Sequence, residues 1–340
     1  MDDNDKIFEE VTERELQFIR VDASVRRQII RELRRLEREI VGLLTDDDTL
    51  TQKRLRAILA EARKLIREGY KVINEKMTEN LEEIADVEST AMLKSLGAVA
   101  VAADDLTVSK IRRLVSGSLL NGAPSSEWWK RQGDDLTRRF TDEMRTGVLL
   151  GENTQQLARR VRGTRSFNFT NGIMNASRRN AEALVRSSVQ NATNQARFET
   201  METVNNRIKS YRYVATLDNR TSDVCAVRDS LRWKADTKEG IGHNISFQVP
   251  PLHWNCRSTL VPELKGVSLP DDATRASADG PVKANISFEE FLRKKPRSFV
   301  EETLGKGKAE MYLSGQITLR QLLDQSGNPL TLRELRQRYG

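Results

Sequence analysis

The chain has two cysteines, Cys225 and Cys256, and two histidines, His243 and His253, and all four lie between positions 225 and 256 of its 340 residues. Thiolate sulfur and imidazole nitrogen are ligands that zinc prefers. His253 and Cys256 are separated by two residues, a spacing that lets both side chains converge on one tetrahedral ion, and Cys225 can return to them from the preceding turn. The fourth position is open to Asp218, Asp223, His243 or water. A fourth protein ligand makes the site structural, pinning a loop-rich segment poor in large apolar residues; water there makes hydrolytic chemistry conceivable. The two cysteines could instead form one disulfide, but no export signal follows the acidic start MDDNDK.

Other catalytic signatures fit poorly. H-E-x-x-H, G-x-x-x-x-G-K-[ST] and G-x-S-x-G are missing, and no second cysteine follows Cys256 as a zinc deaminase requires. A different chemistry is offered by Arg159, Arg160, Arg162, Arg165, Arg178 and Arg179, which lie in a stretch from Asn153 to Ala181 without one acidic residue. Such a block is either a solvated surface or a contact for DNA phosphates or an acidic partner. It sits in the basic part of the chain. Residues 1–123 carry 21 Lys+Arg against 24 Asp+Glu, which leaves 35 against 25 for the remainder.

The elements that must position these residues are of two kinds. Residues 1–123 hold no proline and three aromatics, Phe8, Phe18 and Tyr70. Their apolar positions recur every three or four residues: Val25, Ile29, Leu33, Leu36, Ile40 and Leu43, then Leu55 to Ile73, then Leu81 to Val99. This predicts three thin helices, separated by Asp46-Asp47-Asp48 and near Thr78, the last ending about Ala103. Stripes so narrow suit antiparallel pairing or docking on another protein. We therefore expect an extended helical arm over 1–123 that docks on a partner and is separable from the rest.

Pro124 begins the second kind of sequence. Helices are expected across 126–204, with Thr154 as a cap, Gly163 as a stop, and an alanine-rich helix from Asn175 to Val204. The period then shifts to two at Tyr211, Tyr213, Ala215 and Leu217, a strand with Arg212, Val214 and Thr216 facing the other way. Leu231–Trp233 and Ile245–Val249 are further strand candidates within a small β and metal-loop part over 209–262 that completes a domain over 124–265. A Pro/Ser/Asp-rich linker over 266–284 and a helical tail over 285–340 follow. The fold class is thus α+β, mainly helical. No apolar run approaches the roughly 18 residues of a membrane span, so no membrane partner is expected.

Several ordered motifs carry a family resemblance. Leu217-Asp218-x-Arg220-Thr221, then Cys225, then Pro250-Pro251-x-His253-x-Asn255-Cys256-Arg257 resembles the hallmark of the Mu F-like phage head morphogenesis family, the minor capsid proteins of tailed phages. Gly147-Val148-Leu149-x-Gly151-x-x-Thr154 with Leu157-Ala158, the helix bearing Arg186, Asn191 and Asn194, and a tail with Leu304-Gly305-Lys306 and Leu330-Thr331-Leu332 are similar too. The resemblance covers about residues 124–340. It implies a non-enzymatic minor head protein, assembled in the host cytoplasm and held in the virion near the portal vertex. The partners it implies are portal protein, the major capsid or scaffolding protein, and double-stranded DNA bound without sequence preference during packaging or ejection. Members commonly place a cysteine where this chain has Ser222 or Asp223; with that cysteine missing, the resemblance implies either Asp218 as the fourth ligand of a structural zinc or a metal held weakly. The alternative from another class is a metal-dependent hydrolase or nuclease using Cys225, His253 and Cys256, with Asp218 as base.

Overall fold

The computed structural model describes residues 3–45, 51–97, 106–266 and 273–340. It is 66% helical with 9% strand, a mainly helical α+β fold as expected. The expected break at Asp46-Asp47-Asp48, the end of the third expected helix from Val99 to Ala103, and the part of the expected linker at 267–272 lie outside the described residues. No helix among those described is long and apolar enough to cross a membrane.

The helices run α1 (Asp3–Thr45), α2 (Gln52–Leu96), α3 (Val108–Gly117), α4 (Ser125–Leu149), α5 (Thr154–Arg162) and α6 (Ile173–Glu202). Then come β1 (Ile208–Val214), α7 (Asp223–Arg228), β2 (Arg232–Lys234), β3 (Thr259–Leu264), β4 (Thr274–Ser277) and β5 (Gly280–Lys283). Four short helices close the chain, α8 (Phe288–Arg293), α9 (Arg297–Leu304), α10 (Lys306–Leu313) and α11 (Leu332–Tyr339). The second and third expected helices are one. Ile73, Met77, Leu81 and Ile84 continue a single buried stripe through Thr78, whose hydroxyl donates to the Asn74 carbonyl and stays within the helix.

Contacts divide the chain into two compact units, one of 1–18, 85–111 and 190–340, the other of 19–84 and 112–189. This division does not follow the composition boundary at Pro124. Both units draw on residues 1–123, so the expected separable arm is not how the chain is organised.

The second unit is helical. Asn80 donates to Gln28 at 3.3 Å, Lys76 pairs with Glu32, and Leu36 lies over Gly69, which aligns α1 and α2 antiparallel. Ile29, Leu33, Leu36 and Ile40 are buried, as are Ile66, Tyr70, Trp129 and Phe140. The stripe expected to dock on a partner is therefore already covered inside the chain, where burying each large side chain contributes about 1.5–3 kcal/mol. Asn153, rather than Thr154, caps α5: its side chain accepts from the Gln156 amide, and Gln156 returns the bond. Gly147 is required where α4 meets α5, because a Cβ there would stand 2.2 Å from Leu157.

The first unit is built on an antiparallel sheet of order β2-β1-β3. Tyr211 pairs with Trp233 on one side and Pro262 on the other, an outer strand being the place where a proline is tolerated. Arg212 is buried, not exposed on a solvent face, because both faces of β1 are covered; its guanidinium donates to the Ala284 carbonyl at 2.8 Å and lies over Phe8. Ile245–Val249 forms no strand. The Ile245 carbonyl accepts from the Trp233 indole at 2.7 Å, and Phe247 packs against Tyr211 and Trp233. Within the expected linker, β4 and β5 form a hairpin. Buried Arg275 of β4 pairs with Asp229 at 2.8 Å, and Asp229 also accepts from the Ala215 and Phe288 amides, which ties the hairpin and α8 to the end of β1.

Candidate metal centre

Cys225 is placed by α7. Ser222 caps that helix, its hydroxyl accepting from the Cys225 amide, so the thiol projects from the first turn into the unit's core. His253 and Cys256 come from a tight turn closed by a bond from the Cys256 amide to the His253 carbonyl, with Asn255 in the left-handed region at φ 60°. Asn is among the non-glycine residues that tolerate this region best.

These three side chains converge. Cys225 Sγ lies 3.1 Å from His253 Nε2 and 3.6 Å from Cys256 Sγ, and their ligand atoms all fall within 4.8 Å of one another. Zinc bonds of about 2.3 Å to sulfur and about 2.0–2.1 Å to nitrogen, at tetrahedral angles, set sulfur–sulfur edges near 3.8 Å and sulfur–nitrogen edges near 3.6 Å. The two spacings from Cys225 match these within about half an ångström. His253 Nδ1 donates to the Trp254 carbonyl at 2.9 Å, which leaves Nε2 as the lone pair facing the thiols. Both cysteines are buried and the histidine is half-buried, so the site opens toward solvent on the imidazole side. The residues therefore fit a zinc ion, which would supply cross-linking of α7 to the 253–256 turn.

The thiols do not titrate alike. The hydrogen bond from Cys256, with further donors at Ser258, Tyr213 and Ser222, outweighs burial and pulls Cys225 down to about 6. Cys256, as donor to that thiolate and buried beside it, is pushed up. The bond to Cys256 raises His253 above the ordinary imidazole value, against the effect of burial. A thiolate at neutral pH is the form that binds a metal.

The structure does not bring Asp218 to this group. Its two oxygens accept from Arg257 Nη1 at 2.6 Å and Nη2 at 2.8 Å, and the Arg220 amide donates to it as well. Burial raises the Asp218 carboxyl, but the Arg257 bonds and charge outweigh it and hold the group below the usual carboxylate range. Asp218 is thus a clamp between the segments that carry Cys225 and Cys256, and not a fourth ligand. The other sequence candidates are also engaged elsewhere: Asp223 pairs with Lys308 at 2.5 Å, and His243 bonds the Arg232 carbonyl at 2.9 Å and stacks edge-on against Trp233. The oxygen nearest the imidazole is Ser222 Oγ, 2.8 Å from His253 Nε2, a residue sequence reading noted only as a missing cysteine.

Sequence reading also missed what holds the strand after the turn. Gln190 and Asn194 donate to the Ser258 carbonyl at 3.0 and 3.1 Å, and Thr259 donates to Asn194 at 2.9 Å. Asn194 thereby fixes the backbone two residues beyond Cys256. Beneath it lies a buried ionic cluster: Arg197 Nε bonds Glu88 at 2.6 Å, Arg197 Nη1 lies 3.3 Å from Glu15, and Arg14 reaches Glu88 at 3.3 Å. Arg197 also donates to Thr259.

The arginine block is less basic than its sequence. Arg160 makes bonds of 2.6 and 2.7 Å to Glu152 and one of 2.5 Å to Glu143, and Arg178 pairs with Glu37 at 2.6 Å. Arg159, Arg162, Arg165 and Arg179 are exposed and have no ionic partner among the described residues.

Neither a curated protein nor a solved structure matches the chain. Residues 138–261, the span that contains Asp218, Cys225, His253 and Cys256, match the model of the family described as Phage Mu protein F like protein.

Proposed function

We propose that the chain is a structural minor head protein of a tailed phage that acts in head morphogenesis, assembled in the host cytoplasm and held in the virion at the portal vertex. The observation that carries this is the family match over 138–261, with the Cys225–His253–Cys256 group inside the matched span. Its partners in this reading are portal protein, the major capsid or scaffolding protein, and DNA held through exposed arginines. Since Ile29, Leu33, Leu36 and Ile40 are covered within the chain, portal protein would meet the outward, charged faces of the long helices. Zinc on Cys225, His253 and Cys256 would be structural. The hydrolase alternative needs a free base beside the metal, and Asp218, the residue it would use, is committed to Arg257 and held ionised.

The test is location. Immunogold labelling of purified virions should mark one vertex per head, and co-expression should recover the chain with portal protein. A chain missing from virions, or spread over the whole shell, overturns the assignment. Cleavage of plasmid DNA that needs added metal and is lost in His253→Ala would replace it with the nuclease reading.

A further inference from the structure

The second unit has a groove of about 620 Å³ between the C-terminal half of α1 and the segment joining α5 to α6, and no element of the metal centre takes part in it. Arg34, Arg38, Arg162 and Arg178 line it together with Glu37 and Phe169. Arg34 and Arg38 are one helical turn apart on the same face of α1, about 6 Å along its axis. Glu37 neutralises Arg178 at 2.6 Å, which leaves three exposed guanidinium groups without an ionic partner among the described residues. The volume is that of an ordinary ligand cleft, and unpaired guanidinium groups lining it call for an anion.

The adjoining loop presents aromatic rings to water. Phe167 is 62% exposed and Phe169 47% exposed, and the loop that carries them is firmly built. The Phe169 amide donates to the Thr164 carbonyl at 2.9 Å, and the Thr164 amide donates to the Asn171 side chain at 2.9 Å. Asn168 and Phe169 both adopt left-handed backbone, at φ 48° and 58°, and Gly163 at φ 88° lets the Phe169 backbone approach to where a Cβ would stand 2.8 Å away. Left-handed backbone at a bulky aromatic is disfavoured and persists only where the surroundings hold it. Here the result is two phenyl rings in solvent beside a basic groove. Rings held in this way offer flat apolar faces to a ligand beside the unpaired guanidinium groups.

We propose that this groove and loop bind single-stranded nucleic acid, its phosphates on Arg34, Arg38 and Arg162 and a base stacked on Phe169, with Phe167 taking a neighbouring base. Unstacked bases offer the faces that a duplex keeps inside, and a positive channel flanked by aromatic rings is the usual means of holding a single strand without reading its sequence. The proposal sharpens the DNA contact of the function proposed above and takes its setting from that reading, but it is measured on the isolated chain and stands or falls apart from virion location.

Fluorescence anisotropy of the full chain with labelled oligo(dT) of about 12 nucleotides, against a duplex of equal length, tests it directly. The single strand should bind more tightly than the duplex. Replacing Arg34, Arg38 and Arg162 together by Gln should flatten the slope of log K against log salt by about 2, since each lost single-strand phosphate contact is worth about 0.7. Phe167→Ala with Phe169→Ala, which removes two stacking rings, should weaken oligo(dT) binding by about 30-fold or more and leave that slope unchanged. All five side chains are exposed, so unaltered thermal melts serve as the folding control. Equal or tighter binding of duplex, a salt slope indifferent to the arginine variant, or displacement of oligo(dT) by polyglutamate or by dTMP at the same phosphate or carboxylate concentration would each overturn the proposal.

Discussion

Glu15→Gln should change how the protein's stability depends on pH, and the size of the change follows from the buried cluster. Glu15 lies in the core, accepting from Gln190 and 3.3 Å from Arg197 Nη1. Burial lifts its carboxyl from the ordinary 4.5 to about 7, against the pull of Arg197. Between those two values the folded chain keeps a proton that the unfolded chain has released, so stability falls as pH rises through this window and levels off above it. Two and a half pKa units at about 1.4 kcal/mol each make the loss about 3 kcal/mol. Glutamine reproduces the protonated shape and keeps an acceptor for Gln190, so the variant should lose this dependence. Other groups titrate nearby, Cys225 and His253 among them, but they are present in both proteins and cancel in the difference. Thermal unfolding followed by circular dichroism at constant ionic strength, from about pH 5 to pH 8, is the assay. The wild type should lose several degrees relative to Glu15→Gln across that range. Melting temperatures that run parallel would show that Glu15 ionises normally in the fold, and the reasoning would fail.

Three further outcomes are expected. Asp229→Asn leaves Arg275 buried without its charge partner and weakens the acceptor for the Ala215 and Phe288 amides; a loss of about 3–5 kcal/mol in denaturant unfolding is expected, with the β4–β5 hairpin the first segment to exchange its amides. Gly147→Ala drives a methyl group into Leu157 and should cost about 1–3 kcal/mol, measured the same way. Chelation of a zinc-loaded sample, checked by elemental analysis and hydrogen exchange, should loosen α7 and the 253–256 turn while the helical unit of 19–84 and 112–189 keeps its protection.

The Cys225–His253–Cys256 group was legible because its information is local: H-x-x-C spacing survives into a turn, and the second thiol enters from a capped helix one strand away. Asp218 was misplaced for the opposite reason. A carboxylate near a metal motif looks like a ligand until Arg257, which lies 39 positions later, is seen to occupy both its oxygens. Two members of the arginine block are paired in the fold, Arg160 with Glu152 and Glu143, which precede it in sequence, and Arg178 with Glu37 of α1. Among the elements, β3 was hidden by Pro262, which reads as a strand breaker but sits on an outer strand, and β4–β5 was hidden because four-residue strands, the second of them opening with Gly280-Pro281, carry too short a period. The long helices were legible as helices. Their partner was not, because a narrow stripe has the same period whether it is covered by the same chain or another.

The donors around the metal centre are ordered by bonds that do not involve the metal. Arg257 and Asp218 clamp the segment after Cys256 to the one before Cys225, and the Arg257 carbonyl accepts from Thr216 at 3.1 Å while Thr221 closes back on the Thr216 carbonyl at 2.5 Å. Gln190 and Asn194 hold the Ser258 carbonyl from α6. A site assembled this way differs from a zinc finger, where the unfolded chain has no site and binding energy is folding energy. Here the ligand positions are largely set in advance, so little ordering entropy would oppose the entry of a metal. The same scaffold explains why a chain with Ser222 in place of a further thiol keeps the geometry: the cap hydroxyl holds α7 and touches His253, and the fold, more than the ion, keeps Cys225 facing Cys256.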